Sequence, residues 1–91
     1  MGLGSVELVM ECEDEFDIKI SDFEAQQVET VGQLQELCVR LVQKQVQSLE
    51  LAADAKDMIR EEVRKIISEQ LGEKIHKVVP EAHFVNDLKL Y

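Results

Sequence analysis

The sequence predicts an all-α protein of four helices, and three observations lead to that prediction. Apolar residues recur at the three- and four-residue spacing of amphipathic helices along most of the chain. No glycine or proline interrupts the stretch from Gln33 to Leu71, where good helix formers are frequent. Hydrophobic residues make up 45% of the 91 residues and aromatic residues only 4%, so aliphatic side chains must fill the core. The length suffices for one domain, 1–91.

The first two helices are predicted in the first third of the chain. The first begins at Ser5, whose hydroxyl suits an N-cap, and ends near Phe16. Acidic residues fill one face of this helix, and its apolar positions are Val6, Leu8, Val9 and Met10. An extended segment, 17–20, follows it. A short second helix begins at Ser21 or Asp22.

The third helix is predicted to begin at Thr30, and the fourth to end at Gly72, which suits a C-cap. The apolar positions of the third helix are Val31, Leu34, Leu37, Cys38, Leu41 and Val42. Those of the fourth are Met58, Ile59, Val63, Ile66, Ile67 and Leu71. A loop follows at 74–80, and a short turn at 81–88 is expected to seat Phe84 and Leu88 in the core.

Two chain paths are compatible with the segment between the third and fourth helices. In one, the chain turns between Ser48 and Asp57, with Asp54 or Asp57 as N-cap, and the last helix folds back on its own molecule. In the other, a single helix of about 40 residues, roughly 60 Å long, continues through the segment. Its C-terminal half would then pack on a second molecule and form a domain-swapped dimer.

Composition and motifs argue against several classes of function. The net charge of -9 is unfavourable for binding nucleic acid, whose phosphates would be repelled. No apolar run approaches the length that crosses a bilayer, so no membrane insertion is expected. Cys12 and Cys38 are interpreted as buried or half-buried thiols in a reducing compartment. His76 and His83 are not accompanied by a second pair of metal ligands, so we expect no metal site. No spacing of Ser, His and Asp or of Cys and His supports nucleophilic catalysis, so we expect that the protein is not an enzyme.

Two blocks of the chain resemble the acyl carrier protein family, but in exchanged order. Residues 6–16, V-E-L-V-M-E-C-E-D-E-F, resemble the acidic second helix of that family. Residues 17–22 and 24–32 resemble the loop, third helix and start of the fourth helix that follow. Residues 59–72 are similar to the first helix, and F-V-N-D-L at 84–88 is similar to the F-V-x-D-L element that precedes the attachment motif D-S-L.

The resemblance implies a circularly permuted four-helix bundle that is cut at the attachment motif. Residues 1–42 would correspond to helices two to four, 43–57 to a linker or a helix continuation, and 58–91 to helix one and its loop. The family attaches 4′-phosphopantetheine to the serine of D-S-L. An ungapped register places Gly2 at that position, whereas a shortened loop places Ser5 there. The attachment motif is thus interrupted, and the chain is inactive as a carrier if no serine accepts the arm.

The resemblance also implies a function, which is to carry acyl groups as phosphopantetheine thioesters in fatty acid or related biosynthesis. The implied partners are phosphopantetheinyl transferase and basic-surfaced fatty acid synthesis enzymes, in the cytoplasm or alternatively in a mitochondrion or plastid. The docking residues would be Glu7, Glu11, Glu13, Asp14 and Glu15. The core and acyl pocket would comprise Phe16, Ile20, Ala25, Val28, Leu34, Ile66 and Phe84. The alternative is a helical binding or structural module, or an engineered permuted chain, without a prosthetic group.

Overall fold

The computed structural model describes residues 6–46, 50–84 and 86–88, and these residues form four helices and no strand. The helices are α1 (Val6–Phe16), α2 (Asp22–Gln27), α3 (Val31–Gln45) and α4 (Ala53–Leu71). A 3₁₀ turn follows at Ile75–Lys77. The prediction of an all-α protein is therefore confirmed.

Side chains that bind the backbone determine where α2 and α3 begin. The Ser21 hydroxyl accepts a hydrogen bond from the Glu24 amide at 3.1 Å, and the Glu24 carboxylate accepts one from the Ser21 amide at 3.2 Å. Thr30 and Gln33 form the same reciprocal capping box at the start of α3. Both predicted starts are confirmed. The predicted N-cap of α1, Ser5, lies outside the described residues.

Helices α3 and α4 are separate elements that pack against each other. The N-cap of α4 is Ala52, without a side-chain cap, and Asp54 lies in the first turn, so the predicted caps at Asp54 and Asp57 are wrong. The amide of Leu51 instead donates to the Gln43 side chain at 2.9 Å. Gly72 ends α4 in the left-handed conformation, at φ 67°, as predicted.

The core lies where α4 packs against both α3 and α1. Its fully enclosed side chains are Leu8, Cys12, Val31, Leu34, Cys38, Val63, Ile67 and Val78. Two methionines that the apolar pattern placed in the core are exposed instead, since Met10 is 54% and Met58 73% accessible. In α1 the buried positions are Leu8 and Cys12, one helical turn apart.

The segment after α4 is held against the start of α3 by backbone hydrogen bonds. The amide of Val31 donates to Ala82 at 3.0 Å, that of Gly32 to Pro80 at 2.9 Å, and that of Phe84 to Glu29 at 2.9 Å. A Cβ atom on Gly32 would lie 3.0 Å from the Pro80 carbonyl oxygen. Glycine therefore permits this close approach. Phe84 and Leu88 are buried, as predicted.

Arg64 of α4 binds the same segment from the other side. Its Nε donates to the carbonyl of Val78 at 2.7 Å, and its Nη2 to that of Ile75 at 2.9 Å. The remaining nitrogen, Nη1, pairs with Glu61 at 2.8 Å. One guanidinium group thus fixes both ends of the 3₁₀ turn to α4.

Candidate functional site

The outer face of α1 is an acidic surface. Glu7, Glu11, Asp14 and Glu15 are exposed, and no lysine or arginine occurs in the helix. Among the described residues none of these four carboxylates has an ion-pair partner. Met10 is exposed on the same helix. We call these five residues the α1 surface, and it combines unpaired negative charge with one flexible apolar side chain.

Glu13 differs from the other predicted docking residues. It is half-buried, and its Oε2 accepts a hydrogen bond from the Ile20 amide at 2.8 Å. Between these residues Asp17 has a positive φ of 52°, a conformation that aspartate tolerates better than most residues. The Glu13 carboxylate therefore holds the chain as it reverses after α1. Glu13 thus has a structural contact and is not part of the α1 surface.

The residues predicted for the core and acyl pocket come together in one hydrophobic cluster. Phe16 is partly buried against that cluster. The other six are buried: Ile20, Ala25, Val28, Leu34, Ile66 and Phe84. Their burial supports the packing role, while their use as an acyl pocket stays a prediction.

An open groove of about 780 Å³ runs beside α2 and α3, and sequence reasoning did not find it. Its apolar lining comes from Phe23, Val28, Leu37 and Pro80. Phe23 is 70% accessible. The sequence contained a local signal for the exposure of Phe23. Phe23 and Ala25 lie two residues apart in α2, so they lie on different faces of the helix and cannot both contact the core. The groove itself depends on the approach of the 80–84 segment, which no local pattern indicates.

Charged side chains line the groove in pairs. Arg60 donates to Glu36 at 2.8 Å, and this hydrogen bond lowers the pKa of Glu36. A hydrogen bond from the Ser21 backbone is the main cause that lowers the pKa of Glu24, and Arg40, at 3.9 Å, contributes to the same shift. The groove is consequently close to neutral, in contrast to the α1 surface.

The two candidate attachment positions, Gly2 and Ser5, lie outside the described residues. Within the part of the chain that is described, no group of three or more His, Cys, Asp or Glu side chains is placed to hold a metal ion. No helix of that part is both long and apolar enough to cross a membrane.

A comparison with models of known protein families gives no match, and a comparison with solved structures gives none either. The resemblance to acyl carrier proteins consequently depends on the residues quoted above, and it leads to a proposal.

Proposed function

We propose that this chain is an acyl-carrier-like module whose helices are arranged by circular permutation. One observation carries the proposal. Phe84 and Leu88 belong to the segment that resembles the end of the family's first loop, and Leu8 belongs to the helix that resembles its continuation. All three side chains are buried in one hydrophobic cluster, although they come from opposite ends of the chain. The two parts of the divided motif thus share a core, as they would if the chain ran through them directly.

The residues allow a simple carrier chemistry. The prosthetic group would be joined through a phosphodiester to a serine oxygen near the start of α1, and Ser5 is the serine available there. When bound, 4′-phosphopantetheine supplies a thiol that holds the acyl group as a thioester. The protein supplies the N-terminal end of α1, where backbone N–H groups and the helix dipole favour an anion.

The α1 surface is proposed to dock basic partner enzymes, among them the transferase that adds the arm. Exposed, unpaired carboxylates attract a basic surface over roughly 10 Å at moderate salt, so the association should weaken as salt rises. Met10 adds an adaptable apolar contact at the edge of these carboxylates. We place this function in the cytoplasm, or alternatively in a mitochondrion or plastid.

The attachment test uses three chains and a phosphopantetheinyl transferase with coenzyme A. Intact mass should show one arm on the wild-type chain and none on Ser5→Ala if Ser5 is the acceptor. If the ungapped register is right, the wild-type chain gains nothing, and Gly2→Ser with an aspartate inserted before it gains one arm. A linear acyl carrier protein in the same tube shows that the transferase is active. No gain in any chain, while that control is modified, would refute the carrier proposal.

A second candidate function is a helical binding module without a prosthetic group, and the groove beside Phe23 favours it. A 70% accessible phenylalanine next to Leu37 and Pro80 is a suitable contact for an apolar side chain of a partner. The two functions use different surfaces. Phe23→Ser should abolish binding in the second case, whereas charge reversal at Glu11 and Asp14 should abolish it in the first.

The domain-swapped dimer is distinguished from the monomer by the connection at Ala52. In the folded-back chain Ala52 is the N-cap of α4, a position where glycine is better than alanine. In a continuous helix it is an interior position, where glycine costs about 1 kcal/mol relative to alanine. Ala52→Gly should therefore convert a swapped dimer into a monomer in light scattering. Ala55→Gly, inside α4 in both arrangements, is the matched control, and equal effects of the two would contradict this account.

A further inference from the structure

The two cysteines of the chain meet in the core. Cys12 lies on α1 and Cys38 on α3, and both are fully enclosed, at 0% accessibility. Both are free thiols, they belong to the same hydrophobic core, and each thiol influences the other. Most positions around them are filled by branched aliphatic residues. Two enclosed thiols therefore lie in the core on two helices that contact each other.

The position of the pair favours a bond between the two helices over any other product. A disulfide bond requires Cα atoms within about 7 Å and sulfur atoms directed at each other. Cys12 and Cys38 lie on helices that contact each other, and small side chains at a helix contact permit such an approach. Because the chain has no third cysteine, exchange within the molecule can lead to only one disulfide.

We propose that Cys12 and Cys38 are a redox modification site, oxidised by low-molecular-weight disulfides such as glutathione disulfide to an intramolecular bond that joins α1 to α3. One protein thiolate attacks a sulfur of glutathione disulfide and releases the first glutathione. The second protein thiol loses its proton and attacks the mixed disulfide, which releases the second glutathione. Two protein thiols are oxidised, one glutathione disulfide is reduced, and the two protons end on the two glutathione molecules.

The reaction must pass through a local opening of the core. In the closed bundle the thiols are out of reach of glutathione, and the neighbouring Cys12 together with burial raises the pKa of Cys38, which keeps its thiol protonated. Separation of α1 from α3 exposes both sulfur atoms at once, and closure brings them together again. The reduced protein is thereby protected from fast oxidation, and the oxidised protein can no longer separate α1 from α3.

The experiment incubates the native protein with glutathione disulfide, blocks remaining thiols under denaturing conditions and measures intact mass. The expected product has lost two hydrogen atoms, takes up no blocking reagent and carries no glutathione. Dithiothreitol should restore two blockable thiols, and the oxidised protein should melt at a higher temperature than the reduced one. Peptide mapping without reductant should identify the Cys12–Cys38 link. The proposal is independent of the carrier function, so attachment of an arm does not enter the result.

Three results would overturn the proposal. They are a stable glutathione adduct on the native chain, a disulfide-linked dimer as the main product, and two free thiols after a time in which urea-unfolded protein has formed its disulfide. Cys12→Ala and Cys38→Ala are matched controls, since each keeps one enclosed thiol and should show no oxidant-dependent rise in melting temperature. The mass and mapping of the wild-type chain decide the matter even if either variant fails to fold.

Discussion

Replacing Arg64 should loosen the segment that brings Phe84 and Leu88 to the core. Arg64→Met keeps most of the aliphatic stem and removes the guanidinium group. The variant loses both hydrogen bonds to the backbone carbonyls of Val78 and Ile75 and the ion pair with Glu61. Val78 is fully enclosed, so its carbonyl loses a partner in a place that water reaches poorly.

The magnitude follows from the surroundings of each lost bond. A charge-assisted hydrogen bond to a part-buried carbonyl contributes about 1.5–2 kcal/mol, and the more exposed bond to Ile75 about 0.5–1 kcal/mol. The ion pair is half exposed at Glu61 and contributes at most about 0.5 kcal/mol. The free energy of unfolding should therefore fall by about 2–3.5 kcal/mol. For a domain of this size that corresponds to a melting temperature lower by roughly 8–28 °C.

Urea denaturation followed by circular dichroism measures this loss, and two variants isolate its cause. Lys65→Met removes a neighbouring exposed cation of α4 and should change stability by less than about 0.5 kcal/mol. Glu61→Gln removes the ion pair alone and should cost equally little. Hydrogen exchange should accelerate at the Val31 amide, whose acceptor lies in the segment that Arg64 holds.

A particular pattern would refute this reasoning. If Arg64→Met is no less stable than Lys65→Met, the guanidinium bonds to the carbonyls add nothing to stability. If Glu61→Gln costs as much as Arg64→Met, the ion pair and not the carbonyl contacts is responsible. Unchanged exchange at Val31 together with a full loss of stability would place the effect within α4 instead of the 72–84 segment.

Three further changes test other contacts. Gly32→Val should destabilise by about 1–3 kcal/mol in urea denaturation, because an added Cβ would lie 3.0 Å from a backbone carbonyl oxygen. Glu13→Ala should cost about 1–2 kcal/mol, whereas Glu15→Ala, on the same exposed helix, should be nearly neutral. The hydrogen bond from Arg60 lowers the pKa of Glu36 from 4.5, so its contribution is present above pH 4.5 and is lost as pH falls through the folded-state pKa. The stability difference between wild type and Glu36→Gln should shrink accordingly on acidification.

Local chemistry explains which helix boundaries the sequence predicted. Ser21 and Thr30 each stand three residues before a glutamate or glutamine, and this spacing alone produces the capping boxes. Gly72 was predicted because only glycine adopts the left-handed C-cap readily. In each case the deciding contact spans a few residues, so the sequence contains all of it.

The failures involve contacts that are distant in sequence. Met10 and Met58 fit a helical apolar stripe, yet which edge of a stripe is buried depends on the neighbouring helix. Helix α4 has Ala52 as its N-cap without a side-chain cap, and the amide of Leu51 just before it donates to Gln43, which lies eight residues earlier in the chain. The groove beside Phe23 likewise requires the 80–84 segment to reach α3. The order of the sequence blocks could be compared with that of a family. The contacts between segments that are distant in sequence could not be derived from local patterns.

Helix α1 presents a different chemistry on each side, and this separates the two proposals that concern it. Glu11 and Asp14 face outward, so reversing their charge should weaken the binding of a basic partner and leave disulfide formation unchanged. Cys12 faces inward, so Cys12→Ala should abolish the disulfide and leave the acidic surface intact. If charge reversal also prevented disulfide formation, the exposed acids would be supporting the fold and could not be regarded as a free docking surface. Partner binding that changes on oxidation of the wild type but not of Cys12→Ala would show instead that the position of α1 on α3 governs docking.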